Sequence, residues 1–120
     1  MTETQIHEIV TAQREYFYTG ATLDIDFRIN ALKKLKAYVQ SHESEIAKAI
    51  ALDLGKSSFE SYMCETGMVL SELTHMLKHT RSYAKEKRVL TPLAQFHSRS
   101  YKKPSPYGVT LIMSPWNYPF

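Results

Sequence analysis

Residues Val109 to Met113 read VTLIM and are apolar on both faces apart from Thr110. This pattern predicts a β-strand that is covered on both sides, as in the sheet of an α/β protein. A single such strand needs neighbouring strands and helices on both of its faces. The preceding sequence predicts mainly helices and cannot supply the other strands. We therefore expect the 120 residues to be the first part of a larger α/β domain.

Four mainly amphipathic helices are predicted before residue 90, because apolar residues recur there at helical intervals. Capping-box spacing supports the start of the first and fourth helices. Gly67 costs the fourth helix about 1 kcal/mol of helix propensity relative to Ala, and a close contact with another helix is one reason for a glycine at this position. The predicted starts are Thr2, Asp24, Ser41 and Ser57. The first, third and fourth helices are predicted to end near Gly20, Gly55 and Lys85, and the apolar face of the second extends to Val39.

The character of the chain changes at Thr91-Pro92. Residues Phe96 to Tyr101 are predicted to form an exposed strand. Residues Lys102 to Pro106 follow as a turn, because two prolines cannot continue a helix or a central strand. A second strand is predicted from Tyr107 to Met113. The expected organisation is therefore a helical part (1–90), an arm (91–106), and a first sheet strand with its following loop (107–120).

Composition excludes several classes of protein. The 15 Lys and Arg residues outnumber the 12 Asp and Glu residues by too little to indicate a nucleic-acid partner, and they are spread as solvated helix faces. Cys64 is the only cysteine, so an internal disulfide is excluded and a reducing compartment is expected. With no signal peptide at the N-terminus, we expect a cytoplasmic protein; membrane association is left open, because an anchor could lie beyond Phe120.

The loop SPWNYPF, Ser114 to Phe120, follows the predicted strand, and ligand sites in open α/β sheets lie beyond the carboxyl ends of strands. Its two prolines stiffen it. The amide of Asn117 could donate a hydrogen bond to a developing oxyanion, and Trp116 offers a flat apolar surface to a ligand. The alternative is that Asn117 is a turn residue and Trp116 belongs to the core.

Two other features could carry chemistry. Glu72, His75 and His79 could place three metal ligands along one helix face, but they lie away from the apolar stripe, and we interpret them as solvated residues rather than a metal site. Cys64 lies in the predicted long helix without a motif around it, so we interpret it as an inert thiol.

The stretch Pro106 to Val109, followed by Ser114 to Phe120, closely resembles the end of the N-terminal segment of the aldehyde dehydrogenase superfamily, with its P-x-G-V strand and P-W-N-[YF]-P loop. Weaker similarities lie at Phe27-Arg28 and at Asp53 to Lys56. Their order, with a very short N-terminal lead, is most similar to the class 3 branch, which includes fatty-aldehyde dehydrogenases.

The resemblance implies an oxyanion-donor role for Asn117 and a place for Ser114, Pro115 and Trp116 along the nicotinamide and ribose side of a cofactor cleft. It implies that residues 1–90 belong to the cofactor-binding domain, that 91–106 contribute to an oligomerisation arm, and that 107–120 begin an incomplete Rossmann-like parallel sheet. The complete enzyme would oxidise an aldehyde with NAD or NADP and form a homo-oligomer.

In the family, the nucleophilic cysteine, the glutamate base and the glycine-rich cofactor turn all follow this point. We therefore expect the 120-residue chain alone to be inactive and not to bind a dinucleotide tightly. The alternative is a non-catalytic helical interaction module that associates with itself through the exposed apolar strand Val109 to Met113.

Overall fold

The computed structural model describes all 120 residues, which form helices, a two-stranded hairpin and a C-terminal extended segment. A π-helical turn, Tyr62–Thr66, joins the fourth and fifth α-helices, and the two strands are antiparallel. The helices are α1 Glu3–Tyr18, α2 Ile25–Ser41, α3 Glu43–Leu54, α4 Ser58–Ser61 and α5 Gly67–Tyr83, and the strands are β1 Lys87–Val89 and β2 Ser100–Lys102. Short 3₁₀ turns occupy Ala21–Leu23 and Leu93–Gln95.

Local capping signals define several of the helix ends. Thr2 and Gln5 form the predicted capping box, in which the Thr2 N–H donates to Gln5 Oε1 at 2.8 Å and the Gln5 N–H donates to Thr2 Oγ1 at 3.3 Å. Asp24 caps α2 by accepting the Asp26 N–H at 3.0 Å. Gly55 ends α3 with a φ of 68°, in the left-handed region. These three predictions are confirmed.

The predicted start of the third helix at Ser41 is wrong. Ser41 is the last residue of α2, and its hydroxyl donates to the Tyr38 carbonyl oxygen at 3.0 Å. Because that hydroxyl bonds back to its own helix, it does not cap the next one. His42 is the N-cap residue of α3 and makes no side-chain capping bond.

The small hydrophobic core lies between α2, α3 and α5, and α2 packs mainly against α5. Lys36 Nζ also donates to Thr74 Oγ1 at 2.8 Å across this contact, and Arg81 pairs with Asp26 at its edge. The buried apolar residues are Ile29, Val39, Ile50 and Leu73. None of the helices has the combination of length and apolar character that crossing a bilayer requires.

The hairpin differs from the predicted arm. The strand predicted at Phe96 to Tyr101 is reduced to Ser100–Lys102, and its partner is Lys87–Val89, which the sequence did not predict as a strand. The stretch Lys87–Val89 contains two basic residues and has little local tendency to form a strand. It becomes a strand because it pairs with Ser100–Lys102 across the loop. The Ser100 N–H donates to Thr91 Oγ1 at 3.1 Å, which closes the loop.

The strand predicted from Tyr107 to Met113 is absent from this structure. None of the backbone hydrogen bonds involves residues 107 to 113, which carry no strand or helix. A strand is defined by pairing, and the hairpin strands already pair with each other. Leu111, Ile112 and Met113 are consequently 83%, 85% and 84% exposed.

The predicted fourth helix is confirmed in extent but is not a regular α-helix. Its π-helical turn adds one residue to the turn, so that the Gly67 N–H bonds to the Tyr62 carbonyl oxygen. A Cβ atom at Gly67 would lie 2.6 Å from that oxygen and 3.3 Å from the Tyr62 ring. The close contact that accounts for this glycine is therefore with its own helix, and not with a neighbouring one.

Replacing Gly67 with alanine should lower the free energy of unfolding, although the same change in a regular helix would raise it by about 1 kcal/mol. The added methyl group must displace the Tyr62 carbonyl, which is backbone and cannot move without disturbing the π-helical turn. Urea unfolding followed by circular dichroism measures the effect. Ser71→Ala on the exposed face of α5 is the control and should change stability little; a more stable Gly67→Ala variant would contradict the steric argument.

Candidate functional site

The loop Ser114 to Phe120 lies against the start of the long helical segment. The Tyr118 N–H donates to the Pro115 carbonyl oxygen at 3.3 Å, so Trp116 and Asn117 are the central residues of a turn. Trp116 is 92% exposed, which contradicts the alternative that it is a core residue of this chain. Asn117 is also exposed, so its side chain is accessible from solvent.

Lys56 holds this turn through its ammonium group. Its Nζ atom donates to the backbone carbonyl oxygen of Asn117 at 2.8 Å and to Glu65 Oε1 at 2.7 Å. The same ammonium group lies 4.1 Å from the centre of the Tyr118 ring, within the range of a cation–π interaction. One cation therefore contacts two consecutive residues of the loop.

Glu65 holds the last residue of the loop. The glutamate is only 2% exposed, and its two carboxylate oxygens have different partners. Oε1 accepts from Lys56, while Oε2 accepts the backbone N–H of Phe120 at 3.0 Å. A buried carboxylate is tolerated only when its charge is paired and its oxygens are hydrogen-bonded, and both conditions are met here.

Local sequence explains how these two charged residues come together. Gly55 turns the chain at the end of α3, and Lys56 follows it directly. Ser57 then starts α4 by accepting the Glu60 N–H at 3.2 Å. Glu65 lies within the π-helical turn that follows, nine residues after Lys56. The chain thus reverses between α3 and α4 and brings the two side chains to the same point.

The ion pair has a defined electrostatic effect. The hydrogen bond with Glu65 raises the pKa of Lys56 above its ordinary value of 10.5, and the negative charge of Glu65 acts in the same direction, against the lowering effect of partial burial. Lys56 is therefore protonated at neutral pH. The ammonium group is a permanent donor to the Asn117 carbonyl throughout the physiological range.

The stabilisation that Lys56 contributes should depend on pH in a defined direction. Because its pKa is raised on folding, the contribution is complete below pH 10.5 and is lost as the pH rises through the folded-state pKa. We expect the wild-type chain to exceed Lys56→Met in unfolding free energy by a constant amount from neutral pH to about pH 9.5, and by less above it. Urea unfolding at each pH measures this difference.

Lys48→Met is the matched control, because Lys48 is exposed on α3. It should differ little from the wild type at any pH. A Lys56→Met difference that persisted unchanged at strongly alkaline pH would show that the charge of Lys56 does not stabilise the fold.

The predicted site residues are brought together only in part. Asn117 is held through its backbone, whereas Ser114, Pro115 and Trp116 lie in the same loop and are exposed. Cys64 is a free, partly buried thiol in the π-helical turn. The catalytic and cofactor roles assigned to these loop residues stay predictions.

Lys56 and Glu65 are the residues that sequence reasoning missed. In the sequence, Lys56 stands out only as the last residue of the weak family similarity at Asp53 to Lys56. Glu65 carried a usable signal, because it follows Tyr62 by three residues and precedes Val69 by four, which places a carboxylate on the apolar face of the helix. Its partner on the loop, Phe120, lies 55 residues further along the chain, and no local pattern indicates this contact.

The histidines of α5 form an aromatic stack. The rings of His75 and His79 lie 4.2 Å apart, and His75 Nε2 is 3.0 Å from the Tyr83 hydroxyl. The structure contains no group of three His, Cys, Asp or Glu side chains arranged to hold a metal ion. The two imidazole rings contact each other and the side chain of Tyr83.

Comparison with known proteins identifies the family. The aldehyde dehydrogenase family model matches residues 1–120. A 4,4'-diaponeurosporen-aldehyde dehydrogenase of Staphylococcus aureus is 43% identical over 107 residues, which are 89% of this chain and 23% of that protein. The dimeric NADP-preferring aldehyde dehydrogenase of dog is 36% identical over 97% of this chain and 26% of that protein.

A solved structure agrees with the sequence comparison. The substrate-bound state of Staphylococcus aureus AldH matches this fold with a TM-score of 0.91 and 39% identity, over 100% of this chain and 26% of that one. This chain belongs to the aldehyde dehydrogenase family. Its relatives include the human family 3 member B1, at 36% identity over 88% of this chain, so the class 3 resemblance is confirmed. The chain spans about a quarter of the length of these relatives.

Proposed function

We propose that this chain is the N-terminal portion of an NAD(P)-dependent aldehyde dehydrogenase, whose complete protein oxidises an aldehyde to a carboxylate through a cysteine thioester. Family membership supports an aldehyde as the substrate. The observation that carries the proposal is the geometry of Asn117, because its backbone is tethered by Lys56 while the residue stays exposed.

Asn117 can act as the oxyanion donor. When a nucleophile attacks an aldehyde, the carbonyl oxygen gains negative charge, and a fixed N–H donor stabilises that charge more than it stabilises the neutral substrate. A carboxamide does not titrate, so the donor is available at any physiological pH. The turn that carries Asn117 is stiffened by Pro115 and Pro119 on either side.

Ser114, Pro115 and Trp116 are proposed to line the nicotinamide side of a cofactor cleft. The exposed indole of Trp116 and the ring of Pro115 fit this role, because they present apolar surface beside the amide of Asn117. A bound NAD or NADP would accept a hydride from the substrate. The side chains of this loop would orient the nicotinamide and exclude water from it.

The segment Tyr107 to Met113 is proposed to be the first strand of a Rossmann-like parallel sheet in the complete protein. Its exposed apolar side chains and unpaired backbone support this proposal, because both need neighbouring strands to be satisfied. Assembly as a homo-oligomer and a cytoplasmic location stay predictions.

The 120-residue chain alone is proposed to be inactive, because the family's nucleophile and cofactor turn follow this segment. Aldehyde-dependent formation of NADH or NADPH by the purified chain would overturn this.

Replacing Asn117 with alanine in the complete protein should lower kcat for aldehyde oxidation by about 10²- to 10³-fold, the usual effect of losing one oxyanion donor. KM for the aldehyde should change much less, because the lost bond acts mainly on the transition state. Steady-state kinetics measures both constants. Asn30→Ala, at an exposed position of α2, is the matched control and should retain wild-type kcat; an Asn117→Ala enzyme with near-normal kcat would refute the assigned role.

A second candidate is a non-catalytic module that associates with itself. The observation that favours it is the exposed apolar stretch Leu111 to Met113. Sedimentation of the 120-residue chain at several concentrations separates the candidates. A chain that stayed monomeric throughout would exclude this one.

A further inference from the structure

We propose that Lys56 and Glu65 are positioning residues for the amide of Asn117. The inference rests on the proposed function, because it assigns these two residues a role in the same reaction. Neither residue would touch the aldehyde. Both would act through the backbone of the loop, which determines where the Asn117 side chain lies.

The two anchors bind the backbone of the loop at Asn117 and shortly after it. Lys56 binds the carbonyl oxygen of Asn117 itself, and Glu65 binds the N–H of Phe120, three residues further along. The bond from Tyr118 to Pro115 closes the turn in which Asn117 lies. With the carbonyl of Asn117 held and the turn closed, the direction of its Cα–Cβ bond is restricted.

The charges of the anchors make them suited to this task. Hydrogen bonds that involve an ionised group are shorter and stronger than those between neutral groups. Here an ammonium donates to Asn117 and a carboxylate accepts from Phe120, and the two ions also bind each other at 2.7 Å. Displacing the loop would therefore break two charge-assisted bonds and leave a buried carboxylate with one oxygen unpaired.

The anchors also join the loop to the helical part of the fold. Lys56 lies between α3 and α4, and Glu65 lies in the π-helical turn before α5. The loop is separated from them by 61 and 55 residues of sequence. Misplacing a reacting group by about 1 Å can reduce a rate on the order of 100-fold, so anchoring of this kind has a measurable consequence.

The test separates positioning from stability by removing the two charges together. Replacing a whole buried ion pair with apolar residues often leaves stability unchanged, whereas removing one partner strands a buried charge. The double variant Lys56→Met/Glu65→Met of the complete protein should therefore stay folded. Its kcat should fall by about 10- to 100-fold, with a smaller change in KM. The single variant Lys56→Arg, which keeps the charge and the donor, should lose less kcat than the double variant does.

A double-mutant cycle shows whether the effect runs through Asn117. In an Asn117→Ala background the same two replacements should have little further effect on kcat, because the group that they position is already gone. An undiminished loss in that background would overturn the proposal, as would a double variant with normal kcat. Lys48→Met, an exposed lysine on α3, is the control for charge removal.

A second measurement tests the anchoring of the loop independently of enzyme activity, so that failure of this proposal and failure of the proposed function can be distinguished. If the wild-type complete protein oxidises no aldehyde, the proposed function fails, and hydrogen exchange of the Phe120 amide decides the anchoring. Exchange at least about 10-fold faster in the double variant would support anchoring of the loop, since a broken hydrogen bond exposes that amide. Unchanged exchange would overturn it.

Discussion

The buried carboxylate of Glu65 is the constraint on which the arrangement of the site depends. A group that is 2% exposed must have its charge paired and both oxygens bonded, or it would cost several kcal/mol. One partner, Lys56, comes from the junction after α3, nine residues earlier, and the other, Phe120, comes from the loop 55 residues further along. The hydrogen bonds of this one carboxylate therefore connect three segments: the α3–α4 junction, the π-helical turn and the loop.

The helix around Glu65 carries costs of its own. The hydroxyl groups of Ser61, at the end of α4, and of Thr66, in the π-helical turn, are buried without hydrogen-bond partners in the protein. The π-helical turn also requires a glycine at residue 67, where any side chain would meet the Tyr62 carbonyl. Such irregularities concentrate at functional sites in helices. Here the irregular turn carries the carboxylate that holds the loop, which gives these local costs a structural purpose.

The part of the fold that local patterns control was predictable. Capping residues such as Thr2 and Asp24 act within three residues of themselves, and apolar spacing defines the faces that α2, α3 and α5 bury. The site loop was predictable as a motif for the same reason, because its prolines, Trp116 and Asn117 are adjacent in sequence. The strands were not, since Lys87–Val89 becomes a strand only by pairing across a loop, and Tyr107 to Met113 has no partner here.

The sequence by itself determined most of the helical segments and the stiff loop that contains Asn117, because these depend on neighbours a few positions away. Only the tertiary structure decided what holds that loop. Lys56 and Glu65 contact Asn117 and Phe120, which lie more than fifty residues away in sequence. No local sequence pattern indicates which distant group a lysine or a glutamate will contact. Burial selects the pairing, because a charge removed from water is stable only beside groups that replace the water.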